Sequence, residues 1–66
     1  MKNSLRVQRA IKNITQAELA ELVKVSRQTI NTMESGKYIP STVLALKIAA
    51  VFGITVEQIF ELEEED

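Results

Sequence analysis

The sequence predicts an all-α fold, a compact bundle of five short helices. Three observations carry that expectation. Ser or Thr stands at five places (Ser4, Thr15, Ser26, Ser41 or Thr42, and Thr55) just before a helix-like stretch. These residue types accept hydrogen bonds from the free N–H groups of a first helical turn. Asn13, Gly36 and Gly53 stand where stretches end, and Asn and Gly take the left-handed conformation of a helix C-cap at low cost. Between these marks apolar residues recur at helical spacing. With only two glycines and one proline, little of the chain is left for linker.

The first helix is expected over about Leu5 to Lys12, capped by Ser4. Its apolar residues Leu5, Val7, Ala10 and Ile11 do not form one clean stripe. Gln8, one turn from Leu5 and Ile11, sits where an apolar residue is expected, so Val7 or Ile11 should face something other than this subunit's core. Asn13 and Ile14 link to a second helix opened by Thr15. Glu18, three residues on, gives the spacing of a capping box. Ala17, Leu19, Ala20, Leu22 and Val23 supply its apolar stripe.

Val25 fills a tight turn and Ser26 opens the third helix. Ile30 and Met33 continue the apolar side, three apart. The other side carries Arg27, Gln28, Asn31 and Thr32, and Gly36 ends the helix. From Arg27 to Thr32 there is one cation, two amides and two hydroxyls, with no carboxylate. Arg can donate twice to guanine, Gln and Asn can pair with the adenine edge, and a Thr methyl can touch thymine. An ordinary solvated helix face has a similar composition.

Pro40 disfavours α geometry at Ile39 and so separates the third helix from the fourth. The fourth helix is expected over about Val43 to Phe52. With Val43, Leu44, Leu46, Ile48, Ala49, Val51 and Phe52 it is apolar on most sides, which marks a central or partner-covered helix. Gly53 stops it. The last helix runs from Val56 to about Glu61 after the Thr55 cap. Val51, Phe52, Ile54, Val56, Ile59 and Phe60 offer more apolar surface than one small subunit can hide. They are assigned to a two-fold homodimer interface. Leu62 is placed at its edge, as a short strand beside the N-terminal residues.

Sixty-six residues make one domain, 1–66, with one small core. The helix-turn-helix occupies about 15–36 and an acidic tail about 61–66. With no Cys and no His, disulfides and the usual zinc sites are excluded. Helix packing or a partner subunit must then supply stability. The lack of Cys fits a cytoplasmic protein. No apolar run approaches membrane-spanning length and no signal peptide is evident. The net charge of −1 hides an asymmetry. Residues 1–56 hold all eight basic residues and only Glu18, Glu21 and Glu34, a balance of +5, whereas residues 57–66 hold six acids and no base, a balance of −6. A basic body can still present a positive face to phosphates. Glu63, Glu64, Glu65 and Asp66 lack the alternating ligands and glycine of a calcium loop, so they read as a frayed, solvated tail.

The segment from Thr15 to Gly36 resembles the helix-turn-helix of the phage lambda-repressor/Cro type, the XRE-like family of small bacterial and phage regulators. The residues that carry the likeness are Thr15, Gln16, Leu19, Ala20, Val25, Ser26, Arg27, Gln28, Thr29, Ile30, Glu34, Gly36, Lys37 and Pro40. It continues through LALKIAAVFGITVEQIF and so covers nearly the whole chain. Two positions depart from the pattern. Gln8 stands where the family has leucine, and Lys24 stands at the turn where it has glycine. A positive φ at Lys24 would cost on the order of 1 kcal/mol.

The resemblance implies a helix laid in the major groove and dimers on paired half-sites. It places Arg27, Gln28, Asn31 and Thr32 at base edges. Gln16, Ser26, Thr29, Lys37 and Tyr38 fall on the backbone, where contacts position without specifying sequence. It makes Arg9 and Glu34 a structural ion pair and has Gln16 brace Arg27. The expected function is a sequence-specific double-stranded-DNA-binding transcriptional regulator, a repressor on a palindromic operator, acting as a homodimer. The alternative is a protein-interaction module such as the antitoxin of a toxin–antitoxin pair. An enzyme is not expected: there is no His or Cys, the carboxylates cluster in the tail, and no glycine loop cradles phosphate. No cofactor, metal, membrane or small-molecule partner is expected either.

Overall fold

The computed structural model describes residues 1–66. It contains β1 (Lys2–Asn3), α1 (Leu5–Lys12), α2 (Gln16–Val23), α3 (Arg27–Glu34), α4 (Thr42–Phe52), α5 (Val56–Ile59) and β2 (Phe60–Glu61). Helices dominate, in the order the Ser and Thr caps predict. Thr15 and Glu18 close a full capping box, and so do Thr55 and Gln58. Ser26 and Ser41 accept from the N–H groups of Thr29 and Leu44. Each satisfies a donor that a first turn leaves free.

Ser4 is the exception. It makes no side-chain cap, and Asn3 Oδ1 takes the Leu5 N–H at 3.2 Å. Ser4 Oγ instead donates to the Gln58 carbonyl at 3.3 Å.

Four helix ends close through a left-handed residue: Asn13 (φ 58°), Lys24 (φ 61°), Gly36 (φ 82°) and Gly53 (φ 67°). After α3, the Lys37 N–H reaches the Thr32 carbonyl at 3.2 Å and the Gly36 N–H reaches Met33 at 3.0 Å. These are the paired bonds of a Schellman motif. The same pair closes α2 around Lys24, where Val25 reaches Ala20 at 3.0 Å and Lys24 reaches Glu21 at 3.4 Å. The turn therefore keeps the geometry that favours glycine, with a lysine bearing the strain.

Twelve residues form one hydrophobic core, drawn from all five helices and β2. Leu5, Leu19, Val23, Ile30, Met33 and Ile48 are its fully buried large side chains. Val7 and Ile11 are 57 % and 74 % exposed, the outward face that Gln8 broke up.

The C-terminal end differs from the sequence expectation in four ways. The last helix stops at Ile59 rather than near Glu61, and Phe60 turns into an extended conformation. Phe60 and Glu61 then pair antiparallel with Asn3 and Lys2 of the same chain. The strand is thus intramolecular and Leu62 lies beyond it, 77 % exposed. Ile59 and Phe60, assigned to a dimer surface, are 2 % and 7 % exposed. The strand pairing draws both into the subunit's own core. Finally, residues 63–66 are exposed but turn back on themselves: Glu63 N–H reaches Asp66 Oδ2 at 2.8 Å. The Met1 amine lies 3.1 Å from Glu63 and 3.3 Å from Asp66, so these residues form a turn against the N-terminus.

Candidate nucleic-acid interface

The candidate surface is the outer face of α3 with the N-terminus of α2 beside it. Ile30 and Met33 bury the inner face of α3 against the core. That fixes the azimuth of the helix and leaves Arg27, Gln28 and Asn31 exposed, with Thr32 half-buried. Arg27 has no hydrogen-bond or ion-pair partner within the chain, so its guanidinium is available.

Gln28 and Thr32 are tied together one turn apart. Gln28 Nε2 donates to Thr32 Oγ1 at 3.2 Å, and that hydroxyl donates to the Gln28 carbonyl at 2.8 Å. This holds the Gln28 side chain along the helix and leaves its Oε1 unspent. The hydroxyl of Thr32 is occupied, so the methyl is what it offers. Ser26 Oγ caps the Thr29 N–H at 3.1 Å and meets the Thr29 hydroxyl at 2.9 Å. Both hydroxyls stand at the mouth of the helix.

The second half of α3 is braced from behind. Arg9 on α1 grips Glu34 at two points. Its Nε donates to Oε2, and its Nη2 donates to Oε1 at 3.0 Å. Arg9 Nη1 also reaches the Ile14 carbonyl at 3.1 Å. The Glu34 side chain is 1 % exposed. Burial pushes its carboxyl up, but hydrogen bonds from Arg9 and Gln16 and the charges of Arg9 and Arg6 outweigh it and hold it below its ordinary value. The Arg9 guanidinium is correspondingly raised by the hydrogen bond to Glu34.

Gln16 joins the two layers. Its Nε2 donates to Glu34 Oε1 at 3.0 Å, and its Oε1 accepts from Asn31 Nδ2 at 3.5 Å. It braces Asn31 and Glu34, not Arg27 as the resemblance implied. The amide spans from the start of α2 to the later turns of α3, and Arg27 lies a turn too early. Gln16 and Arg27 instead both line one hollow, with Arg9, Asn13, Ile14, Thr15 and Ala17. This hollow sits at the α2 N-terminus, where free N–H groups and the helix dipole favour an anion.

Beyond α3, Lys37 and Tyr38 are both exposed, Tyr38 by 42 %. Sequence reasoning missed Asn3, whose Nδ2 donates to the Met33 carbonyl at 2.8 Å and ties β1 to the end of the outward helix. Its only local signal is an Asn two residues before a helix start. Arg6 was missed as well: its Nε is 3.8 Å from Glu34.

A second surface is apolar. Ile39, in the loop before Pro40, and Val43 and Leu46, three apart on α4, are 61 %, 62 % and 57 % exposed. Ile39 and Leu46 line a groove with Met1, Pro40, Thr42, Ala45, Val56 and Phe60. Of the other residues assigned to a dimer, Val51, Phe52, Ile54 and Val56 are half-buried against the core. No helix is long and apolar enough to cross a membrane.

Comparison with known proteins gives a consistent result. A helix-turn-helix family profile matches residues 5–59. The chain is 52 % identical, over the full length of both, to an uncharacterised HTH-type transcriptional regulator of Methanocaldococcus jannaschii. It is 46 % identical, again over the full length of both, to the uncharacterised HTH-type transcriptional regulator YgzD of Bacillus subtilis. It also matches the HTH-type transcriptional activator BcrR of Enterococcus faecalis at 40 % identity, over 80 % of this chain and 26 % of that protein.

Proposed function

The chain belongs to the helix-turn-helix family of DNA-binding transcriptional regulators, a non-enzymatic class, and from that footing we propose that it is a repressor that occupies a palindromic operator as a homodimer. The observation that carries the DNA-reading part is the braced outer face of α3. Exposed Arg27, Gln28 and Asn31 stand on a helix whose inner side is locked into the core. A helix so held has little backbone left to order on binding, which favours specific contact.

The roles come from the chemistry of each side chain. Arg27 donates to a guanine edge, Gln28 and Asn31 address adenine, and the Thr32 methyl meets thymine. The hollow between Gln16 and Arg27 takes a phosphate at the α2 N-terminus. Ser26, Thr29, Lys37 and Tyr38 supply further backbone contacts, which set register. With Arg9 neutralised by Glu34, the free cations of this face are Arg27 and Lys37.

For the dimer, the apolar stripe of Ile39, Val43 and Leu46, with Val56 at the groove beside it, is the surface that supports a second copy. Val51, Phe52 and Ile54 are half-buried against the core. Contiguous apolar surface on a small monomer marks an interaction site, and a two-fold pair matches the symmetry of a palindrome. The E. faecalis relative is named as an activator. For this chain, steric occupation of an operator by the small reading domain is the mechanism we favour. The same apolar stripe supports the alternative of an antitoxin-like module, in which a different protein covers it.

Selection of bound duplexes from a random pool at about 0.15 M salt tests the proposal. Enrichment of an inverted repeat with half-sites about one helical turn apart is expected. A single enriched half-site would remove the dimer and keep the DNA reading. No enrichment at any salt would remove both and leave the protein-interaction module.

A further inference from the structure

We propose that the acidic C-terminal segment is held as a fixed negative field beside one end of the DNA-facing surface, where it lowers affinity for any duplex irrespective of sequence. This rests on the assignment of α3 to DNA. The segment is not free to disperse. β2 is clamped to β1 by the pairing of Lys2 with Glu61 and Asn3 with Phe60. β1 is in turn tied to the end of α3, since Asn3 Nδ2 reaches the Met33 carbonyl at 2.8 Å. The same strand carries Met1 against the turn after α3: a Cβ on Gly36 would lie 3.6 Å from the Met1 carbonyl oxygen. On its other side Met1 touches Glu63 and Asp66 at 3.1 and 3.3 Å.

One residue therefore separates the Glu63 and Asp66 carboxylates from the turn that leads into Lys37. Exposed charges act on one another over a screening length of about 8 Å at physiological salt. Phosphates drawn to Lys37 would approach those charges, with Glu64 and Glu65 next to them. The repulsion acts on the backbone contacts that supply essentially all sequence-independent binding and leaves the base-edge hydrogen bonds of α3 untouched. A basic body of +5 carrying an adjacent −6 then spends less time on non-target DNA than its face alone would dictate.

The test is binding of a random-sequence duplex, read by fluorescence anisotropy at low and high salt. Two variants are used. Glu64→Gln/Glu65→Gln leaves the Glu63 and Asp66 contacts in place. Glu63→Gln/Glu64→Gln/Glu65→Gln/Asp66→Asn removes the whole charge, and where it fails to fold the first variant carries the test alone. Expected at about 50 mM salt is roughly 3-fold tighter binding for the double variant and about 10-fold for the quadruple, both gains falling below about 2-fold at 300 mM. Unchanged affinity at low salt in a variant with native circular dichroism overturns the proposal. So does a gain that persists at high salt. If neither the wild type nor the variants bind any duplex, the DNA reading itself fails and the proposal falls with it.

Discussion

Gln16 Nε2 donates to Glu34 Oε1 at 3.0 Å, so the first residue of α2 holds the last residue of α3. The same carboxylate is gripped by Arg9. Three helices thus meet on one buried anion. The outward face of α3 is therefore not set by hydrophobic packing alone, which fixes depth and azimuth but resists sliding weakly. The polar junction fixes where along its axis α3 stops.

Removing one partner of that junction should be costly. Glu34→Ala leaves the Arg9 guanidinium, 15 % exposed, without its counter-charge, and a loss of about 3–5 kcal/mol is expected from urea unfolding. Replacing both partners with apolar residues, as in Arg9→Met/Glu34→Leu, should recover much of it, because the desolvation cost disappears along with the attraction. The pH dependence has a definite sign. The folded carboxyl lies below its ordinary value of 4.5, so its contribution is full above that value and is lost as pH falls through the depressed one. The gap in unfolding midpoint between wild type and Glu34→Gln should narrow below about pH 4.5. A gap that stays constant down to about pH 2 would mean the pair does not control acid stability.

Gln16→Ala should separate bracing from folding. The hydrogen bonds lost are worth about 0.5–1.5 kcal/mol each, so the domain should remain folded. Operator binding should weaken by more than this stability change explains, with the base preference at the Asn31 position the most relaxed. A pool selection that returns the wild-type preference would show that Asn31 is oriented without Gln16.

Gln28→Ala and Lys37→Ala should differ in kind. Loss of a good base-edge contact removes roughly 1–3 kcal/mol of discrimination at one position. Loss of a phosphate contact weakens all sequences alike and lowers the salt slope by about one unit. Equal effects on selectivity from both changes would contradict the roles assigned to them.

Lys24→Gly should stabilise the protein. A left-handed φ of 61° at a lysine costs about 1–2 kcal/mol, partly offset by the larger chain entropy of glycine, about 0.5–1 kcal/mol. A net gain of about 0.5–1 kcal/mol is expected in thermal or urea melts. Lys24→Ala removes the same charge but keeps the same strain, so it should give no gain. Equal effects from both would place the cause in the charge.

What the sequence made legible was local. Helix starts were readable because Ser26, Ser41, Thr15 and Thr55 act on N–H groups two or three residues away. The stop at Gly36 was readable because glycine takes the left-handed conformation of a helix end at low cost. The Lys24 stop showed only as a missing glycine, since nothing in a lysine announces left-handed geometry. The two-residue strands escaped a clear reading because their pairing joins chain ends some sixty residues apart and has no periodicity. That one omission misplaced Ile59 and Phe60, which the pairing turns inward. The identity of the outward residues on α3 was legible from helical spacing. Which of them Gln16 touches was not, because it depends on how far α2 and α3 slide past one another.

Leu46 should separate the monomer's stability from its assembly. It is 57 % exposed and lines the apolar groove with Ile39, so Leu46→Glu takes little from the subunit core. If a second copy covers the stripe, each two-fold contact gains a buried carboxylate without a partner, which a stable interface does not tolerate. The expected result is half the mass in sedimentation equilibrium with unchanged helical circular dichroism. Affinity for a duplex carrying both half-sites should fall by about 10²-fold, the loss of bivalent engagement, while affinity for a single half-site is kept. Ile11→Glu, at a comparably exposed apolar position on α1, is the control and should leave the mass unchanged. A Leu46→Glu protein that keeps the wild-type mass would show that copies meet elsewhere, and one that is monomeric before and after would leave the stripe to a different protein.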